Sequence, residues 1–372
     1  MNATQPAAAP GGLWARFSGN LVDIAIKERV FLIVLLCGFA VSGMTYQYAP
    51  IAMWVGFLFA SYSAIANDSI QTLGTFIASN RQRPWWILWL FIGGIFLVTM
   101  TYSWVTYSGD VSYQRLAAKG FEFAPTKFSY LQIAAPLFLL ILTRLKMPVS
   151  TTFLILTGFA TSASSIGKVL TKSLSGYGLA FVIAIAVWLL FSKALTKQLT
   201  KKAHPAWNVG QWATTGLLWS IWLMQDAANI AVYLPRSLGV AEFIAFAAIV
   251  FLGLGIMFRQ GGDRIQEVVE EKANVVDVRM ATIVDLVYAA ILLYFKMHSK
   301  MPMSTTWVFI GLLSGREIAM SWTKTSGRDL KSTFRMVTKD LSFVTLGLVV
   351  SIILALAVND AFYTQLMATI GF

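Results

Sequence analysis

The chain has one cysteine and two histidines in 372 residues. Cys37 lies in an apolar run and has no second thiol for an internal disulfide, a metal cluster or a redox pair. His204 and His298 stand in short connections without metal-ligand spacing. Charge is also scarce. Only 12% of residues are Asp, Glu, Lys or Arg, against about a quarter in an ordinary soluble domain. In its place are 57% hydrophobic residues and a mean hydropathy of +0.67. No soluble core of this length hides that much apolar surface, so lipid must solvate much of the chain. Ser-His-Asp arrangements, zinc spacings and nucleotide-binding glycine loops are missing, so an enzyme with a bound cofactor is not expected.

Eleven apolar segments lie near 30–49, 51–79, 84–108, 128–143, 147–167, 176–192, 206–235, 240–258, 280–296, 301–322 and 342–358. Most match the roughly 20 residues that cross the hydrocarbon core. The second and seventh are longer and contain acidic motifs, which predicts a broken helix or a re-entrant turn in each. Long connections occur only at 109–127, 259–279 and 323–341. The expected architecture is an all-α polytopic membrane protein of about eleven (ten to twelve) transmembrane segments. The stretch 1–29 reads as an N-terminal tail, 30–167 as a first repeat and 168–322 as a second, inverted one. A basic loop and a last helix follow in 323–372. The start of the tail, to about Gly12, is rich in Ala, Pro and Gly and reads as disordered. It lacks the basic-then-apolar order of a signal peptide, so the first span is expected to be retained.

Charge bias orients this scaffold. With every segment crossing and the N-terminus cytoplasmic, 20 of the 29 Lys and Arg fall inside and 8 outside, with Arg316 in the membrane. That excess follows the positive-inside rule. It accounts for the net charge of +12 through anionic lipid, without nucleic acid. The expected location is a multi-pass position in the cell (inner) membrane.

Two polar motifs occur twice, in one order. Asn67-Asp68 is followed by Pro148-Val149-Ser150-Thr151-Thr152, and Gln225-Asp226 by Pro302-Met303-Ser304-Thr305-Thr306. Each proline trails its Asp by a similar interval, 80 and 76 residues. Such duplication inside apolar sequence predicts two halves around a shared polar site. Asp68, Asp226 and Asp285 lie well inside apolar segments. Each costs about 2.5–3.5 kcal/mol at a helix centre. A bound cation, a proton, an Arg or a structural hydrogen bond must offset that cost. The Pro-x-Ser-Thr-Thr runs supply the opposite chemistry. A proline that pre-sets the first helical turn leaves the following amides pointing out of a positive helix end. The hydroxyls of Ser150, Thr151, Thr152, Ser304, Thr305 and Thr306 add donors that rotate to fit. Two facing runs suit an oxyanion with several equivalent oxygens. The bland alternative is that these hydroxyls bond back to the carbonyl one turn earlier.

These motifs resemble the inorganic phosphate transporter family, whose halves carry a GANDVANAFGT-like motif and a PxSTTH motif. Ala66-Asn67-Asp68, Gly74 and Thr75 match the first, and Asp226, Ala228 and Asn229 its second copy, with Gln225 in place of Asn. Pro148, Ser150, Thr151 and Thr152 match the later motif, as do Pro302, Ser304, Thr305 and Thr306. The resemblance spans residues 51 to 322. It implies a secondary transporter of phosphate or a related tetrahedral oxyanion coupled to Na+ or H+, with inverted repeats and a homodimeric assembly. Phe153 and Trp307 replace the family's usual His, and Gln71 replaces an Asn. Where the family often has a Glu, the first half has Gln132, and Asp285 lies one residue further back in the second.

The resulting expectation is that Asn67, Asp68, Gln71, Gln225, Asp226 and Asn229, with Asp285 and Gln132, hold coupling cations, with Na+ at Asp68 and Asp226. The six hydroxyls of the two runs, with Thr75, bind the anion. Arg316 either neutralises Glu317 or contacts the anion directly. Sulfate is the first rival substrate, because the motif histidines are gone. A channel, or an anion sensor without transport, is the rival class.

Overall fold

In lipid a backbone must satisfy its own N–H and C=O groups, so apolar runs become helices. The computed structural model describes residues 28–145, 147, 149–199, 202–260, 277–325 and 327–370. Most of the N-terminal tail, Pro148 and most of the 259–279 connection lie outside the described residues. In chain order the helices are α1 (Arg29–Thr45), α2 (Ala49–Ser79), α3 (Trp85–Thr106), α4 (Tyr130–Arg144) and α5 (Thr151–Leu154). A 3-10 turn (Leu156–Phe159) comes next, then α6 (Ala163–Leu199), α7 (Ala206–Ala231), α8 (Val240–Arg259) and α9 (Val278–His298). The chain continues through α10 (Thr305–Trp322), α11 (Leu330–Val358) and α12 (Asp360–Ile370). Strands are absent among the described residues.

Six helices are long and apolar enough to cross a membrane: α2 over Ala49–Asp68, α3, α6 over Ala163–Phe191, α8, α9 and α11. The apolar helices α1 and α4 are shorter. Leu36, Val98, Leu190 and Val209 are all more than two-thirds exposed. Outward-facing aliphatic side chains in this number suit lipid and not water. The chain is an integral membrane protein.

Two sequence expectations are corrected. The 147–167 segment is not a continuous span. It folds as the four-residue α5 and a 3-10 turn, and α6 begins at Ala163. The break in the first half therefore falls after the Ser-Thr-Thr run. The acidic segments, conversely, are unbroken: α2 runs 31 residues and α7 runs 26. Neither has a proline in its interior, and the polar side chains of each find partners on neighbouring elements instead of unwinding the backbone.

Local chemistry sets the other helices. Ser129 and Gln132 form a reciprocal capping box at the start of α4. Pro136 inside α4 has no N–H for the carbonyl of Gln132. The hydroxyl of Tyr233 donates to that carbonyl instead, at 2.8 Å. Tyr233 is buried, and its ring passes α2 at Gly56, where a Cβ would lie 2.3 Å from the ring.

The helices around the two hydroxyl runs are interlocked. α6, which follows the first Ser-Thr-Thr run, packs along α10, which begins with the second. α11, which follows the second run, packs on α5 and the 3-10 turn of the first. α2 and α7, the carriers of the acidic motifs, also pack on each other. This packing brings both copies of both motifs to one place.

Candidate functional site

The serine of each run is the N-cap of its helix. The Ser150 and Ser304 hydroxyls accept from the amides of Phe153 and Trp307, each at 3.3 Å. This corrects the expectation that proline opens the helix: Pro302 stands two residues ahead of the cap. A serine oxygen meets an orphan first-turn amide better than any residue without a side-chain acceptor. The serines therefore act first as caps, which leaves four threonine hydroxyls facing the other motif and the other run.

Those hydroxyls lie close to the buried acids. Thr151 donates to Asp68 Oδ2 at 2.6 Å. Asp68 Oδ1 accepts from Asn67 Nδ2 at 2.7 Å and from Gln71 Nε2 at 3.3 Å. Asn67 also donates to the carbonyl of Val149, beside the run, at 2.9 Å, and accepts from Thr143 at 3.0 Å. The second half repeats the scheme. Asn229 Nδ2 donates to Asp226 Oδ1 at 2.7 Å, and Thr305 is the threonine beside Asp226, as Thr151 is beside Asp68. Gln225 donates to the carbonyl of Leu292 at 2.9 Å. Trp222 Nε1 donates to the Thr305 hydroxyl at 3.3 Å, and Tyr288 holds the Thr305 carbonyl at 3.0 Å.

Contacts between the halves close the site. Gln71 donates to Thr306 Oγ1 at 2.9 Å, and Thr152 donates to the carbonyl of Met303 at 3.1 Å. The rings of Phe153 and Trp307 meet at 5.5 Å. These two residues stand immediately after the two Ser-Thr-Thr runs, so an apolar pair seals the place where the runs converge. Asp68 and Asp226, both buried, lie within electrostatic reach of each other.

Acceptor capacity is left over. Gln71 Oε1, Gln225 Oε1, Asp226 Oδ2 and Asn229 Oδ1 are buried without a hydrogen-bond partner. The three amide orientations are set by their nitrogens, which donate to carboxylate, hydroxyl or carbonyl oxygens. Three orphaned amide oxygens on the two acidic helices, with the carboxylates of Asp68 and Asp226, are donors of the kind a hard cation takes. Among the described residues no three His, Cys, Asp or Glu side chains converge on a point.

Other expected site residues are elsewhere. Thr75 donates to Asp285 Oδ1 at 2.9 Å, and Thr215 donates to Oδ2 at 2.5 Å. Asp285 is thus held by two hydroxyls and ties α2, α7 and α9 together, with Thr75 on it and not on the runs. Gln132 completes the α4 cap and donates to the Gly158 carbonyl at 3.0 Å. Arg316 pairs with Glu317 at 3.1 Å. It lies ten residues past Thr306 on α10, about 15 Å along the axis. Sequence reasoning missed Trp222, Tyr288 and Thr143, none of which lies within a repeated motif.

No protein-family model matches the chain, and no curated protein does. A solved structure described as "The sodium-dependent phosphate transporter" is similar, with a TM-score of 0.58 and 17% identity. The match covers 87% of this chain and 99% of that one. At this identity the likeness establishes a shared fold.

Proposed function

We propose that the chain is a secondary active transporter that moves inorganic phosphate, or a similar tetrahedral oxyanion, coupled to Na+ or H+. The observation that carries this reading is the convergence of both Ser-Thr-Thr runs on both buried motif acids, with three amide oxygens and Asp226 Oδ2 unspent there. Likeness of fold to a sodium-dependent phosphate transporter supports it.

In this reading Asp68 and Asp226, with the oxygens of Gln71, Gln225 and Asn229, hold the coupling cations. The hydroxyls of Thr151, Thr152, Thr305 and Thr306 rotate from their present acceptors to the anion. An anion enters a low-dielectric site at tolerable cost only when cations enter with it, and this mutual neutralisation is the coupling. Movement of one half against the other then breaks the Gln71–Thr306 and Thr152–Met303 links and alternates access.

Uptake into proteoliposomes of the purified protein tests the reading. Labelled phosphate is offered under an imposed Na+ gradient, then under a proton gradient, with excess sulfate as competitor. Gradient-driven phosphate uptake that sulfate leaves intact is the expected result. Entry of labelled sulfate without phosphate would reassign the substrate, a rival favoured by the apolar Phe153–Trp307 pair at positions where a histidine would read a protonated oxyanion. Flux of neither anion in either gradient would overturn transport.

A further inference from the structure

The connection between α3 and α4 does not skirt the protein. It delivers Arg115 to a position only 1% exposed. Asp110 builds the approach, with Oδ1 accepting from the amide of Ser112 and Oδ2 from that of Gln114, both at 2.6 Å. Tyr113 and Gln114 then adopt φ of +52° and +60°. Consecutive non-glycine residues in the left-handed region each cost about 1 kcal/mol or more, so other contacts must hold them there. Arg115 Nε donates to the carbonyl of Met224, next to Gln225-Asp226, at 3.3 Å. Its Nη1 donates to the carbonyl of Ser299, shortly before Ser304. Its Nη2 is buried without a partner.

Two further basic side chains lie near this guanidinium. Lys172 of α6 donates to the same Ser299 carbonyl at 3.3 Å and to that of Met301. Lys296 of α9 lies 5.5 Å from the ring centre of Tyr113, within electrostatic reach of Arg115. Among the described residues no carboxylate lies within 4 Å of any of the three. Asp226 is the carboxylate whose charge acts on Arg115. Burial pulls Arg115 down to about 10, which leaves it charged at neutral pH. A latch of the loop onto Met224 and Ser299 explains two of its donors. It does not explain the orphaned third, or why two more basic side chains gather beside it.

We propose that Arg115, Lys172 and Lys296 form a second oxyanion site, a staging position from which the anion passes to the hydroxyls of Thr305 and Thr306. The inference rests on the transport reading above. A tetrahedral oxyanion there takes the free Nη2 donor, meets the two neighbouring amines, and sits beside the Ser299–Met303 segment that leads into the second run. Capture at such a mouth speeds association and is lost with rising ionic strength.

The test pairs binding with flux in the full chain. Labelled inorganic phosphate, with sulfate in parallel, is titrated in phosphatidylcholine nanodiscs, and uptake is followed in proteoliposomes at low and high salt. Wild type is expected to bind two anions per chain. Arg115→Gln loses one and raises KM about tenfold, and Lys296→Gln raises it about threefold, as expected when steering charge is removed. Both effects shrink at high salt, and Arg115→Lys restores most of the affinity. Lys296 holds no backbone carbonyl, so its variant keeps the test open if Arg115→Gln fails to fold. Folded variants with wild-type stoichiometry, KM and salt dependence would overturn the site. A changed cation dependence at unchanged anion KM would assign Arg115 to Asp226 and equally overturn it. Phosphatidylglycerol that displaces the second phosphate at saturation would give the site to a lipid headgroup, against staging. Absence of uptake by wild type, with two anions bound, would sink the transport reading and leave the second site standing.

Discussion

Asp68 is a carboxylate well inside an apolar segment, and its survival there has a plain account. Both oxygens are hydrogen-bonded, one by Thr151 and the other by Asn67 and Gln71. These bonds hold the carboxylate in place and leave its charge to be met by a cation. Asp68→Asn keeps the size and most of the hydrogen bonds while removing that charge. The variant is expected to purify as a folded protein and to lose gradient-driven uptake by about tenfold or more, the equivalent of one charge-assisted interaction. Gel filtration and uptake under an imposed gradient check both halves of this statement, and full uptake by the variant would remove Asp68 from coupling. Asp285 is the contrast. One threonine hydroxyl donates to each of its oxygens, and it joins three helices. Both aspartates look alike in sequence, since each is an acid within an apolar run. What separates them is the partner across the helix interface.

Helix contacts follow the same logic. α6 and α10 approach so closely that a Cβ at Gly311 would lie 2.4 Å from the carbonyl oxygen of Tyr177, and one at Gly315 would lie 2.3 Å from that of Phe181. The two glycines sit four apart on one face, the spacing that lets helix backbones meet in a membrane. Gly178, on the outer face of α6, has nothing within 4 Å of its Cβ position. Gly311→Ala is therefore expected to lower stability by about 1–3 kcal/mol, because backbone cannot yield as a side chain can. Gly178→Ala should match or exceed wild type, since alanine favours a helix over glycine by about 1 kcal/mol. Thermal unfolding of both variants in one detergent reads the difference, and equal losses would show that α6 and α10 are not held by this contact. The Gly-x-x-x-Gly spacing is visible in the sequence, but the carbonyls opposite it are not.

At the scale of the molecule, the packing of α6 along α10 and of α11 on α5 places both Ser-Thr-Thr runs at one centre. Phe153 and Trp307 mark the seam. Any mechanism in which one half moves against the other must work around this contact. Because Cys37 is the sole cysteine and is exposed, Cys37→Ser gives a clean background. On it, Phe153→Cys with Trp307→Cys, bridged by Hg(II), is expected to reduce uptake to the background of empty liposomes, with recovery on adding a thiol. Retained uptake with the bridge complete would show that the halves do not separate here.

Composition alone determined that lipid surrounds the chain, because no arrangement of 57% hydrophobic residues with 12% charge hides itself from water. Repetition determined that two acidic motifs and two hydroxyl runs belong together, and the residue types determined which could meet a cation and which an anion. Tertiary structure decided the rest. It kept α2 and α7 whole, placed the break after Leu154, gave Thr75 to Asp285 and Gln132 to a helix cap, and carried Arg115 inward from a long connection. The reason is range. A local pattern reports on neighbours within about a helical turn. Whether a buried polar group is satisfied, strained or left waiting for a ligand depends on the element across from it, which lies up to 235 residues away in the chain.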